Sequence, residues 1–75
     1  MNLDEFLANF EEQLEEIEAG SITASTKFRE LEEWSSLIAL SVIAMVDECY
    51  DLKLSGEDIR TSETVEDLFN KVTAN

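Results

Sequence analysis

Two adjacent serines, Ser35 and Ser36, stand where charge disappears from the chain. The segment from Trp34 to Val46 carries no charged side chain, although the 75-residue sequence holds 18 acidic and 5 basic residues. A hydroxyl at such a boundary has two uses. As a helix N-cap it accepts a hydrogen bond from a backbone N–H two or three residues on. In the first helical turn it stands exposed beside unpaired N–H donors and the positive end of the helix dipole, where a phosphate ester is stabilised. Ser35 is placed for the first use and Ser36 for the second. The plainer reading is that Ser35 caps and Ser36 only fills the turn.

Little other chemistry is on offer. The chain has no histidine, so no Ser-His pair can activate a nucleophile. Acids spread along solvated helix faces lack the burial that general acid–base work requires. There is no glycine-rich phosphate loop, no CxxC pair and no EF-hand spacing. A single cysteine, Cys49, excludes an intrachain disulfide, and without histidine a zinc site is not expected. Cys49 is read as a small buried hydrophobe and not as a redox site. No catalytic residue and no metal ligand are assigned, and the protein is not expected to be an enzyme.

The elements that must position the serines follow from composition and period. Seventy-five residues make one small domain, residues 1–75, near the size at which one apolar core just offsets chain entropy. Hydrophobic residues at 44%, no proline and two glycines predict an all-helical chain with few interruptions. The net charge of −13 opposes nucleic-acid binding and favours basic protein surfaces as partners. The same charge predicts a melting midpoint that rises with salt. The acidic start, Met1 to Glu5, is unlike a signal peptide, and no apolar run reaches the roughly 18 to 20 residues needed to cross a bilayer. A cytoplasmic monomer without stable membrane association is expected.

Four helical segments can be read. Leu3, Phe6, Leu7, Phe10, Leu14 and Ile17 recur at spacings of three and four, so a first helix is expected from an Asn2 cap to a stop at Ala19-Gly20-Ser21. Its outer face sets Glu11 four from Glu15 and Glu12 four from Glu16, like-charged pairs that each weaken an isolated helix by a few tenths of a kcal/mol. Residues 20 to 35 form a long connection that Ile22, Phe28, Leu31 and Trp34 should anchor to the bundle. A second helix runs from Ser36 to about Tyr50, with Ala39, Val42, Ile43, Val46 and Tyr50 on one stripe. Leu37, Leu40 and Ala44 line a second face and Ile38 and Met45 a third, so this helix is apolar nearly all round. Ser55 caps a short helix through Ile59, and Thr64 caps a last one with Val65, Leu68, Phe69 and Val72 inward.

Leu31-Glu32-Glu33-Trp34-Ser35-Ser36-Leu37, the helix ending Val46-Asp47-Glu48-Cys49-Tyr50, then Leu52-Lys53-Leu54-Ser55 and Thr64-Val65-Glu66-Asp67-Leu68 resemble the acyl carrier protein family over essentially the whole chain. In that family an Asp-Ser-Leu motif, often preceded by tryptophan, opens the second of four helices. The resemblance implies an all-α, four-helix bundle with three longer helices, a short third helix and a long first loop. It implies that Ser36 carries 4′-phosphopantetheine, derived from coenzyme A, with Leu37 as the motif leucine. One departure is plain: Ser35 stands where the motif has aspartate, which keeps the cap and loses a charge that helps transferase and partner enzymes dock.

Further expectations rest on the same resemblance. Acyl intermediates would be held as thioesters for a dedicated fatty-acid, polyketide or related pathway, and the partners would be a phosphopantetheinyl transferase, an acyl-loading ligase or transferase, and synthase enzymes. Leu37, Leu40, Ala44, Asp47 and Glu48 would meet those partners, with docking more apolar than is usual in the family because Ile38 and Ser41 occupy turns where acids are common. Val42, Ile43, Val46, Ile59, Val65 and Leu68 would form core or line a sheltered acyl chain, and Trp34 would anchor the loop or touch the arm. Two other readings stand beside this one: a helical interaction module without a prosthetic group, and a carrier of aminoacyl or D-alanyl groups.

Overall fold

An extended Asn2 begins the first helix by accepting the Glu5 N–H on its side-chain oxygen at 2.7 Å, which satisfies one of the donors that a helix start leaves open. In the computed structural model, which describes residues 2–18 and 20–73, helix α1 then runs Leu3–Glu11. It is followed by a 3₁₀ turn at Phe28–Glu30, α2 at Ser36–Tyr50, the short α3 at Gly56–Arg60 and α4 at Val65–Thr73. The described residues contain no strand. The architecture is an all-α bundle with three longer helices and a short third one.

Helix α1 is shorter than its apolar spacing predicts, and the reason lies in its acids. Past Glu11 the chain tightens through i→i−3 bonds, Gln13 N–H to Phe10 and Leu14 N–H to Glu11, each 3.0 Å. Two carboxylates then offer the backbone an alternative to the helix ladder. Glu33 accepts the N–H groups of Glu15 and Glu16 at 2.5 and 2.9 Å, and Glu11 accepts Gly20 N–H at 2.9 Å. The expected pairs Glu11/Glu15 and Glu12/Glu16 therefore do not share a helix face. Leu14 is still buried and Ile17 still packs on the core. Of the expected stop, Ala19 lies outside the described residues, while Gly20 takes φ 86°, which its missing Cβ permits.

The long connection is fastened at both ends of its apolar residues. Phe28 is fully buried and Ile22 nearly so, as expected of anchors, and each buried side chain of this size contributes about 1.5–3 kcal/mol. The Phe28 ring meets Phe10 at 5.8 Å and Trp34 at 5.0 Å, both edge-on. The loop also supplies the start of α4: Val65 N–H donates to Thr26 O and Glu66 N–H to Ala24 O, each at 3.0 Å. A radius of gyration of 11.0 Å, against roughly 11 Å for a compact chain of this length, shows that the connection does not stand away from the bundle.

Helix α2 begins and ends where its residues predict. Ser35 is extended and its hydroxyl accepts Ile38 N–H at 3.3 Å. Val42 and Val46 are fully buried, and Met45, off the main stripe, is buried as well. Asp51 closes the helix in the left-handed region at φ 54°, its N–H donating to Asp47 O at 3.0 Å. Ser55 and Asp58 form a complete capping box on α3, and Thr64 and Asp67 exchange backbone-to-side-chain bonds of 3.2 and 3.1 Å at the start of α4. The core joins Phe6 and Phe10 of α1 to Val42 and Val46 of α2 and to Val65, Leu68 and Val72 of α4.

Candidate functional site

The two serines divide the two uses of a hydroxyl between them. Ser35, outside α2, spends its oxygen on the Ile38 N–H, while its carbonyl accepts Ala39 N–H at 2.9 Å. Ser36 is the first residue of the helix and is exposed, with its side chain free of the capping bond. An accessible primary alcohol at the positive end of a 15-residue helix is an arrangement in which an esterified phosphate is stabilised.

Both serines open onto a groove of about 490 Å³. Its α2 wall is apolar, made by Ala39, Leu40 and Ile43, and Trp34 lines the groove as well. Ile59, nearly buried on α3, forms the opposite wall beside Gly56. Trp34 is held in place from behind, stacked parallel to Phe10 at 6.3 Å with 2° between the planes. Of the expected core or lining residues, Ile43 and Ile59 line this groove. Val42, Val46, Val65 and Leu68 do not; all four are fully buried in the core.

Two cations to which the sequence alone gives no role border the same groove, Arg29 from the 3₁₀ turn and Arg60 from the end of α3. Arg29 is oriented by its Nε–H, which donates to the Ser62 carbonyl at 3.1 Å. Arg60 stands one turn from Gly56, and a Cβ on Gly56 would lie 3.6 Å from an Arg60 guanidinium nitrogen. The spacing of Gly56 and Arg60 is a weak local signal for this pairing. Nothing in the sequence places Arg29 and Arg60 beside one groove, because they meet only through the fold.

The expected partner-facing residues are all exposed. Leu37 and Leu40 are 72% and 63% accessible, values that are large for leucine, and Ala44, Asp47 and Glu48 are exposed farther along α2. Leu37, Leu40 and Ala44, at i, i+3 and i+7, share one face. Ser41, between them, donates its hydroxyl back to the Leu37 carbonyl at 3.2 Å. Leu40 joins this face to the groove that Ser36 borders.

Cys49 departs from its expected burial: it is exposed. It stands beside the exposed Asp47 and Glu48 on α2 and borders an open groove with Glu12, Gln13 and Ala44. Among the described residues no group of three or more histidine, cysteine or acidic side chains is arranged to hold a metal ion. Nor, among them, is any helix long and apolar enough to cross a membrane. Compared with protein-family models, with curated proteins and with solved structures, the chain matches none.

Proposed function

We propose that the protein is a non-catalytic carrier of the acyl-carrier type, which receives 4′-phosphopantetheine on Ser36 and delivers acyl groups to partner enzymes of a dedicated fatty-acid, polyketide or related pathway. The observation that carries this reading is the separation of roles at the head of α2: Ser35 satisfies the helix, so the exposed Ser36 hydroxyl serves no structural need and borders an apolar groove. The residues fit the group, since Ser36 provides the ester oxygen and the groove provides both apolar wall and cations. When bound, the group supplies a thiol that holds an acyl chain as a thioester.

The attachment is a phosphoryl-type displacement on a separate transferase. Ser36 Oγ bonds to the β-phosphorus of coenzyme A, the pyrophosphate bond breaks, and the adenosine bisphosphate half leaves while a base of the transferase takes the hydroxyl proton. The carrier contributes position. Leu37 and Leu40 offer apolar area to a partner beside the modified serine, and Ala44, Asp47 and Glu48 extend the docking face. A tether gives each partner's active site a high effective concentration of cargo, so weak, quickly reversed docking is adequate. The chain's net charge of −13 favours partners with basic surfaces, and a reducing cytoplasm is the setting proposed for such traffic.

Incubation with coenzyme A and several phosphopantetheinyl transferases, read by intact mass, tests the proposal. One phosphopantetheinyl group should be added to the wild type, retained in Ser35→Ala and lost in Ser36→Ala. No addition by any of them would instead support an interaction module that uses the exposed Leu37 and Leu40 alone.

A further inference from the structure

The 18 acids and 5 cations of this chain are not spread evenly over its surface concavities. Glu16, Glu32 and Glu33 border one shallow groove, and Glu12 and Glu48 border another. Among the described residues no acid lines the groove beside Ser36, and two of the five cations do. Two cations at this rim locally offset the long-range repulsion that so acidic a chain exerts on an anion.

The position of Ser36 identifies the anion. Resting on the carrier reading above, we infer that Arg29 and Arg60 seat the phosphodiester attached to Ser36, fixing the root of the arm at the groove between α2 and α3. A phosphorus bonded to Ser36 Oγ sits one covalent bond from a side chain that lines the same groove as Arg29 and Arg60, whereas any charge on a cargo lies at the far end of the arm. Guanidinium groups suit the task, presenting planar donors to phosphate oxygens in charge-assisted bonds. Arg29 is aimed by its bond to Ser62 O, and Ser62 is itself fully buried with its hydroxyl donating to Asp58 O at 2.8 Å. Arg60 extends from the last turn of α3 on the side of Gly56. Ser35 completes the arrangement: a carboxylate at that position would border the same groove, and serine caps α2 without bringing a negative charge to the rim.

The root of the arm is thus held by the carrier in an ionic-strength-dependent way, while the apolar wall of Ala39, Ile43 and Ile59 remains for what lies beyond it. The test compares the unmodified and Ser36-modified full chain, with modification verified by mass, for wild type, Arg29→Gln, Arg60→Gln, Arg60→Lys and the control Lys53→Gln. Lys53 is exposed and outside the groove, so its loss changes net charge alone. At low salt the melting midpoint of the wild type should rise by roughly 2–4 °C on modification, and the ³¹P resonance should broaden relative to a small-molecule phosphodiester. Each Arg→Gln variant should lose at least half of that rise, Arg60→Lys should retain part of it, and Lys53→Gln should keep it. Comparing each variant with its own unmodified form removes any structural cost of losing the Arg29–Ser62 bond. A modified wild type that melts with its unmodified form, or a rise equal in all variants, overturns the inference and leaves the carrier reading intact. Failure of the wild type to gain mass with every transferase overturns both.

Discussion

The rings of Phe10 and Trp34 lie parallel, 6.3 Å between centres and 2° apart, which ties the residue just ahead of the two serines to the core of α1. Because Phe28 meets both rings, this three-ring cluster is where the long connection is pinned to the bundle. Trp34→Ala should therefore lower the unfolding free energy by about 2–3 kcal/mol, less than for a fully buried ring because Trp34 also faces the Ser36 groove. Trp34→Phe should recover most of the loss. Urea unfolding checks this, and a cost below about 0.5 kcal/mol would show that the stack does not anchor the loop.

Ser35 and Ser36 should differ in stability as sharply as in chemistry. Removing the cap in Ser35→Ala should cost about 1 kcal/mol, whereas Ser36→Ala, at an exposed first helical position, should stay within about 0.5 kcal/mol of wild type. Equal losses on thermal or urea unfolding would contradict the assignment of the cap to Ser35 alone.

The last two helices carry an acid dependence whose sign follows from their caps. Asp67 is held below the ordinary carboxylate value of 3.8, first by the Thr64 N–H and then by the Glu63 N–H. Asp58 is lowered likewise, chiefly by the Ser55 N–H. A lowered folded-state value stabilises the fold fully above the unfolded value and is lost as pH falls through the folded one. The melting difference between wild type and Asp67→Asn should thus be constant near neutral pH and shrink as pH drops below about 3.8. A difference that persisted unchanged in stronger acid would remove the Asp67 carboxylate as its source.

Asp51 closes α2 with a positive φ and places a negative charge at the negative end of the helix. Both features are mildly unfavourable. Asp51→Gly should accordingly raise stability by up to about 1 kcal/mol, and Asp51→Asn, which keeps tolerance of this backbone region and removes the charge, by part of that. Destabilisation by glycine on calorimetry would show that the Asp51 side chain makes an offsetting contribution.

What could be read from the chain was what is decided locally. The bounds of α2 follow from Ser35, the uncharged run and the end of the apolar stripe at Tyr50; the start of α3 follows from Ser55 and Asp58, three apart. Ile22 and Phe28 announced an ordered connection because a free loop has no need of them. The end of α1 was not legible, since it depends on Glu33 reaching backbone N–H groups 17 and 18 residues earlier. The exposure of Cys49 was missed because a lone cysteine late in an apolar helix usually behaves as a small buried hydrophobe, whereas this one shares the solvent side of α2 with Asp47 and Glu48. The exposed Ser36 and its neighbouring leucines were legible from one helix, but the acid-free rim of Arg29 and Arg60 required the tertiary fold.

The carbonyls of Thr26 and Ala24 receive the first two amides of α4, those of Val65 and Glu66, from 39 and 42 residues later in the chain. Order in that early stretch and full satisfaction of the first α4 amides are therefore coupled. Cutting the stretch away ahead of the serine-bearing helix would leave those two amides to water, so a version shortened at that end would carry a frayed start to α4, on the far side of the bundle.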